Sequence, residues 1–250
     1  MEFAGKSVIV TGASRGIGLA VARLFAERGA SLVIVARDSQ RLDEARRELE
    51  AFGTRVVAVA GDVGLSETAE RVVQAAAREL GGIDILANIA GAFPTANVEN
   101  TSDAQYAEAI SANLTSTFAM CRAVLPHLRA RGGGAIVNMS STAARLPTPG
   151  LAVYGATKAG IEAFSRAFAV EVAPNIRVNT VSAGPTMTET VRALMEVDET
   201  DAVETVTRAL PLRRLAKPSE IAEAVLFLAS DRASFVTGQV LHANGGGIMA

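Results

Sequence analysis

Short β-branched runs alternate with longer helical stretches along almost the whole chain, and this alternation narrows the available folds more than any other feature. The runs are Val8–Val10, Leu32–Val35, Val56–Val59, Ile83–Ala87, Ala135–Met139, Arg177–Val181 and Gln239–His242. Helical patterns near 16–28, 39–52, 66–80, 103–131 and 153–173 separate the first six. Strands that are nearly all apolar, each followed by a helix, build a parallel sheet buried on both faces. Right-handed crossovers then give an α/β, doubly wound domain with a seven-stranded parallel sheet and helices on both faces.

A chain of 250 residues, 49% of them hydrophobic, suffices for one well-buried core, so residues 1–250 are expected to form a single domain. Two places depart from the alternation. The stretch 103–131 is long enough for two helices. An insertion at about 186–216 precedes a helix start at Lys217-Pro218-Ser219-Glu220 and mixes Glu196, Asp198, Glu199, Asp201 and Glu204 with Leu194, Met195 and Leu210. Such an amphipathic segment is expected to act as a lid over a site.

A net charge of -2, with 20% charged residues, gives no field that would gather nucleic acid or an anionic membrane, and neither partner is expected. No metal site is expected either. Cys121 is the only cysteine, which excludes an internal disulfide and suggests a reducing compartment. Met1 to Lys6 leads directly into the first strand, and no run of about 18 apolar residues follows, so a soluble, cytoplasmic protein is expected.

Directly after the first strand comes Thr11-Gly12-Ala13-Ser14-Arg15-Gly16-Ile17-Gly18, and a helical pattern continues through Phe25. Strand, glycine loop and helix in this order make a Rossmann-type phosphate site. Glycines allow a tight turn and close backbone approach, and the helix start offers free N–H groups and a positive dipole end to a pyrophosphate.

A second constellation is Tyr154-Gly155-Ala156-Thr157-Lys158 at a helix start, where positions i and i+4 share a face. A phenol is a poor base near neutral pH, but a nearby ammonium would favour its phenolate. A surface Tyr-x-x-x-Lys is the ordinary alternative. Among 24 basic residues, however, only Lys6, Lys158 and Lys217 are lysines, so a lysine here suggests a need for a compact ammonium.

The Gly-x-x-x-Gly-x-Gly spacing, the Tyr-x-x-x-Lys pair and Ser141, thirteen positions before Tyr154, together resemble the short-chain dehydrogenase/reductase family from about Lys6 to Gly246. The resemblance implies a hydride transfer between a nicotinamide dinucleotide and a ketone or secondary alcohol. Ser141 would hydrogen-bond the substrate oxygen, Tyr154 exchange the proton, and Lys158 bind the nicotinamide ribose. Asn113 would hold a water in the proton relay, whereas Ser140 reads as a strand-end hydroxyl satisfying backbone.

Ligands of open parallel sheets bind outside the carboxyl ends of the strands, and the candidate residues follow that edge: Gly12, Ser14, Arg15, Gly16, Ile17 and Gly18 after strand one, Arg37 after strand two, Asp62 and Val63 after strand three, Asn88, Ala90 and Gly91 at strand four, Ser141 at strand five, and Gly184, Thr186 and Thr188 after strand six. By resemblance, Asp62 and Val63 border the adenine, Asn88 supports the sheet and cofactor edge, and Thr186 or Thr188 contacts the pyrophosphate or amide. The chain departs from the family at Ile89, where a second asparagine is usual, and at Ala183-Gly184, where Pro-Gly is usual.

A generic acidic ligand about 20 residues past the loop would be Asp38 and would select NAD(H). The family register instead puts Ala36 at the acidic position and Arg37 at the basic position of NADP enzymes, with Arg15 as a second cation, so NADP(H) is favoured and NAD(H) remains open. The nearest resemblance is to 3-oxoacyl-carrier-protein reductases and related short secondary-alcohol dehydrogenases. Arg129 and Arg131 would meet an acidic carrier protein, but Val170 occupies a position often basic in those enzymes, so an acyl thioester and a small ketone or alcohol both stay open. The family also implies a homotetramer or homodimer packed through 103–131 and 153–173. The competing class is a non-catalytic dinucleotide sensor or scaffold, which the intact Asn113, Ser141, Tyr154 and Lys158 argue against.

Overall fold

A computed structural model describes residues 1–197 and 202–249. Seven strands, β1 (Ser7–Thr11), β2 (Ser31–Ala36), β3 (Val56–Ala60), β4 (Ile85–Asn88), β5 (Gly134–Ser141), β6 (Ile176–Ala183) and β7 (Val240–Ala243), form one sheet in the order β3-β2-β1-β4-β5-β6-β7. Every neighbouring pair is parallel. The order reverses between β1 and β4, which opens the crevice at which doubly wound sheets bind ligands.

Alternating side chains divide the core. Val8 and Val10 of β1, with Leu32 and Ile34 of β2, pack toward α1 (Gly16–Glu27), α2 (Ser39–Glu50) and α9 (Pro218–Ala229). Ile9, Val33 and Val35 face α3 (Ser66–Leu80), α5 (Ser116–Ala130) and α6 (Ala152–Val172). Both faces are therefore covered at the centre of the sheet, which is why β1 and β2 read as nearly unbroken apolar runs. Each fully buried Leu, Ile or Phe in these layers contributes about 2–3 kcal/mol.

Local chemistry sets the boundaries. Asp38 accepts the Arg41 N–H at 3.1 Å and starts α2, and Ser102 with Gln105 forms a capping box for α4 (Asp103–Ile110). Pro218 opens α9, whose Glu220 accepts the Lys217 N–H at 2.7 Å. The fourth strand begins at Ile85 rather than Ile83, because Asp84 turns its carboxylate onto the Ser7 N–H at 2.8 Å; Ile83 is buried all the same.

The 103–131 stretch does form two helices, α4 and α5, joined by a π-helical turn over Ser111–Thr115. Side chains occupy the carbonyls that this turn displaces: Ser116 donates to Ala112 O and Asn113 O, and Thr117 to Asn113 O. After β6, Thr186 and Ala216 pair in a parallel bridge that closes the base of the 186–216 segment, within which lie α7 (Glu189–Val197) and α8 (Ala202–Ala209). Leu210 is buried while Met195, Glu196 and Glu204 are exposed; Asp198, Glu199 and Asp201 lie outside the described residues. Among the described residues no helix is long and apolar enough to cross a membrane.

Candidate active site

Gly12 and Gly16 adopt φ of +71° and +57°, conformations that side chains rarely take. A Cβ at Gly12 would lie 2.9 Å from Ala90 Cα, and one at Gly18 would overlap the Gly12 carbonyl. The loop is therefore drawn against the end of β4, and Thr11 secures it there by accepting the N–H groups of Ile89 and Ala90, each at 3.0 Å. The first turn of α1 has no acidic residue, and Arg15 at its N-cap makes no side-chain capping bond. Its leading N–H groups and dipole are left for an external anion, so the cradle fits a pyrophosphate in shape and in charge.

The other loops converge from neighbouring strands. Thr188 brings its methyl group within 3.5 Å of where a Gly16 Cβ would stand, which puts the segment after β6 beside the phosphate loop. Thr186 donates to Gly184 O at 2.8 Å, and Gly184 passes so close to Asn244 that a Cβ would lie 2.6 Å from its Cα. Asp62 accepts the Gly64 N–H at 2.8 Å, and Val63 is buried. Asn88 is also buried and donates to Asn138 at 2.9 Å, which makes it a support within the sheet.

Arg15 and Arg37 are exposed, and neither has an ion pair among the described residues. A pairing of Arg37 with Asp38 is not formed, since the Asp38 carboxylate caps α2 and lies 3.7 Å from Arg41 Nε. Cys121 is fully buried beside Asn88 and Asn138; burial pushes its thiol up to about 12, so it is an unreactive packing group.

At the carboxyl end of β5, Ser141 accepts the Ala143 N–H at 3.2 Å. Across from it, α6 carries Tyr154 and Lys158 one turn apart, with the Lys158 ammonium 5.6 Å from the Tyr154 ring centre. Lys158 is only 3% exposed and donates to Met139 O at 3.1 Å. Burial pushes it down to about 8.

The lowering of the Tyr154 phenol expected beside an ammonium and a nicotinamide ring is not met by the chain on its own. Burial raises it above its ordinary value, and a hydrogen bond with Ser141 opposes the rise. In the chain alone, the desolvation of the phenolate outweighs any help from the lysine.

Asn113 sits in the π-helical turn, fully buried, and donates to Ala92 O and Ala109 O at 3.1 and 3.0 Å. Its Oδ1 has no partner among the described residues. Gly91 separates that oxygen from Lys158: a Cβ there would lie 2.6 Å from Asn113 Oδ1 and 3.3 Å from Lys158 Nζ. A bare buried acceptor next to an ammonium is the geometry that holds a bridging water. Ser140 behaves as a strand-end hydroxyl toward Lys158 O, but it also donates to Glu162 at 3.0 Å.

Sequence reasoning missed Phe93, which packs edge-on against Tyr154 at 4.9 Å between ring centres, as well as Glu162 and Arg145. Phe93 stands two residues beyond the Asn88–Gly91 segment, and that nearness was its available signal. Beside it opens a cavity of about 310 Å³ bordered by Ala92, Phe93, Pro94, Gln105, Glu108 and Val153.

The fold and the glycine cradle define a doubly wound domain of the dinucleotide-binding class. Residues 12–247 match the family model described as Enoyl-(Acyl carrier protein) reductase. The chain is 38% identical to 3-oxoacyl-[acyl-carrier-protein] reductase of Vibrio cholerae, with 98% of each chain covered. It is 37% identical to 2,3-dihydro-2,3-dihydroxybenzoate dehydrogenase of Bacillus subtilis, covering 97% of this chain and 95% of that one. A solved structure from Brucella melitensis, a short-chain dehydrogenase/reductase described as a glucose/ribitol dehydrogenase, superposes with a TM-score of 0.93 at 38% identity over 100% of this chain and 99% of that one. The chain belongs to the short-chain dehydrogenase/reductase family of oxidoreductases, related to the 3-oxoacyl-carrier-protein reductases.

Proposed function

We propose that this protein interconverts a ketone and a secondary alcohol with a nicotinamide dinucleotide, NADP(H) in preference to NAD(H), and that Tyr154 is the general acid and base. The observation that carries this reading is the meeting of Ser141, Tyr154 and a buried Lys158 on the sheet edge that also holds the glycine cradle.

When bound, the dinucleotide supplies or accepts the hydride. The loop N–H groups, Ser14, Ile17 and Thr188 hold its pyrophosphate, and Asp62, Val63, Ala90 and Gly91 line its path. Ser141 orients the substrate oxygen, and Tyr154 gives it a proton in reduction or takes one in oxidation. Lys158 keeps positive charge close to the phenol, and Asn113 Oδ1 with Lys158 Nζ hold the water that passes the proton onward. The 186–216 segment closes over the bound substrate as a lid.

The preference for NADP(H) rests on Arg37 and Arg15, both exposed and without an ion pair among the described residues, beside the ends of β2 and β1. A guanidinium on a 2′-phosphate contributes about 1.5–3 kcal/mol, or roughly 10- to 100-fold. Arg37→Ala is therefore expected to raise KM for NADPH at least about tenfold and KM for NADH less than about twofold. Equal effects on the two cofactors, or a wild type that prefers NADH, would remove this argument.

For the substrate, a small free ketone or alcohol is the first reading, because neither arginine offered to a carrier protein stands at the site. Arg131 is held by Asp84 at 3.1 Å, and Arg129 lies near the amino end of β6, at the sheet edge opposite the site. A 3-oxoacyl thioester is the second reading, favoured by the similarity to the Vibrio cholerae reductase. A homotetramer or homodimer in the cytoplasm completes the proposal. A panel of ketones, secondary alcohols and 3-oxoacyl thioesters with both cofactors tests it, and binding of NADPH without turnover of any of them would support the sensor reading instead.

A further inference from the structure

Glu162 lies one helical turn beyond Lys158 and is 3% exposed. A carboxylate there needs close partners to offset its lost hydration, and its partners come from both sides of Ser141. Ser140, the residue before it, donates to Glu162 Oε1 at 3.0 Å, and the same hydroxyl lies 3.2 Å from Lys158 O. Arg145, which ends the short 3₁₀ turn Thr142–Ala144 that follows Ser141, donates through Nε to Glu162 Oε2 at 3.2 Å. Arg166, a turn further along α6, stands 3.9 Å away and adds a weaker contact.

The bond pattern is that of a clamp. One carboxylate on the helix that carries Tyr154 and Lys158 grips the strand residue before Ser141 and the turn residue after it. β5 and α6 contribute the two halves of the Ser141–Tyr154 pair from separate segments, and backbone pairing in the sheet fixes β5 without fixing its distance from α6. Lys158 to Met139 O and Asn138 to Ser165 Oγ tie the two elements further in, and the Ser140–Glu162–Arg145 contacts are the ties that flank Ser141 itself.

We propose that Glu162, acting with Arg145, is a positioning residue that holds Ser141 at the separation from Tyr154 needed to share one substrate oxygen. This rests on the assignment of Ser141 and Tyr154 as the pair that meets the substrate. Small misplacements of reacting groups cost about 10²-fold in rate, so the clamp acts on kcat and leaves the dinucleotide cradle, on the far side of β4, untouched.

The test compares Glu162→Gln, Arg145→Met and the double variant with wild type on a turned-over ketone, and measures NADPH dissociation constants by fluorescence without substrate. Glu162→Gln keeps an acceptor for Ser140 and removes the charge that holds Arg145. Each single variant is expected to lose about tenfold or more in kcat with an NADPH dissociation constant within about twofold of wild type. The double variant should be no slower than the worse single, because both changes open the same contact. Lower thermal stability with kcat unchanged would overturn the proposal, as would losses that multiply in the double variant. Should either single variant fail to fold, the double variant Glu162→Gln with Arg145→Met decides, since it leaves no unpaired carboxylate in the interior and keeps an acceptor for Ser140. A wild type that turns over no substrate overturns both this inference and the reading beneath it, whereas an active wild type with equally active variants overturns only the clamp.

Discussion

Lys158→Met is expected to make the folded protein more stable while removing its activity. The wild-type chain carries an ammonium into its interior, where burial alone lowers the group from 10.5 to about 8. Below pH 8 the lysine is charged in both the folded and unfolded chains, and the folded state bears a desolvation cost on the order of 3 kcal/mol. As pH rises through about 8 the folded chain releases its proton, while the unfolded chain keeps its proton until about 10.5. The unfolded state then binds more protons, so wild-type stability increases across that window.

Methionine has similar length and no charge. It forfeits the bond to Met139 O, which leaves a net gain of about 1–2 kcal/mol at pH 7, or roughly 2–8 °C in Tm. The advantage should shrink as pH is raised from 8 toward 10.5, and activity should fall at least about 100-fold. Thermal unfolding of both proteins across that pH range checks the account. A variant less stable than wild type at pH 7, or a gap indifferent to pH, would mean that the lysine is not a desolvated charge held for function.

Tyr154→Phe is expected to lower kcat by about 10²- to 10⁴-fold, the usual contribution of a positioned acid or base, with little change in NADPH binding. The ring stays in place because Phe93 packs edge-on against it, so the variant removes the hydroxyl and keeps the shape. The neighbouring serine supplies a linked test. Burial raises the phenol and the Ser141 hydrogen bond restrains that rise, so Ser141→Ala should carry the alkaline-side requirement of alcohol oxidation to still higher pH. Rate–pH profiles of the two proteins measure this. A limb that stays put or moves toward acid would detach the serine from the phenol.

The sheet was legible in the sequence because both faces of its centre are covered, so β1, β2 and β4 are largely apolar on both sides and their runs stand out from the flanking helices. The glycine loop could be placed at a strand end, and Tyr154 with Lys158 on one helix face, from spacing, whereas Ser141 was singled out through the family resemblance. Three features escaped. The π-helical turn at Asn113 depends on carbonyls taken by Ser116 and Thr117, which leave no mark on hydrophobic periodicity. The direction of the Tyr154 shift depends on burial, which local sequence does not report. Glu162 lies on the face of α6 that carries Lys158, Ser165 and Ala169 inward, and its partners Ser140 and Arg145 come from another element, which local sequence does not report.

The central claim is hydride transfer at a carbonyl carbon under proton control by Tyr154. Its most direct test is reduction of a ketone panel with NADPH carrying deuterium at the transferable position, followed by mass analysis of the products from wild type and Tyr154→Phe. The account predicts one deuterium on the carbinol carbon of the wild-type product and almost no product from the variant. Product without deuterium on that carbon, or a variant as fast as wild type, would contradict it.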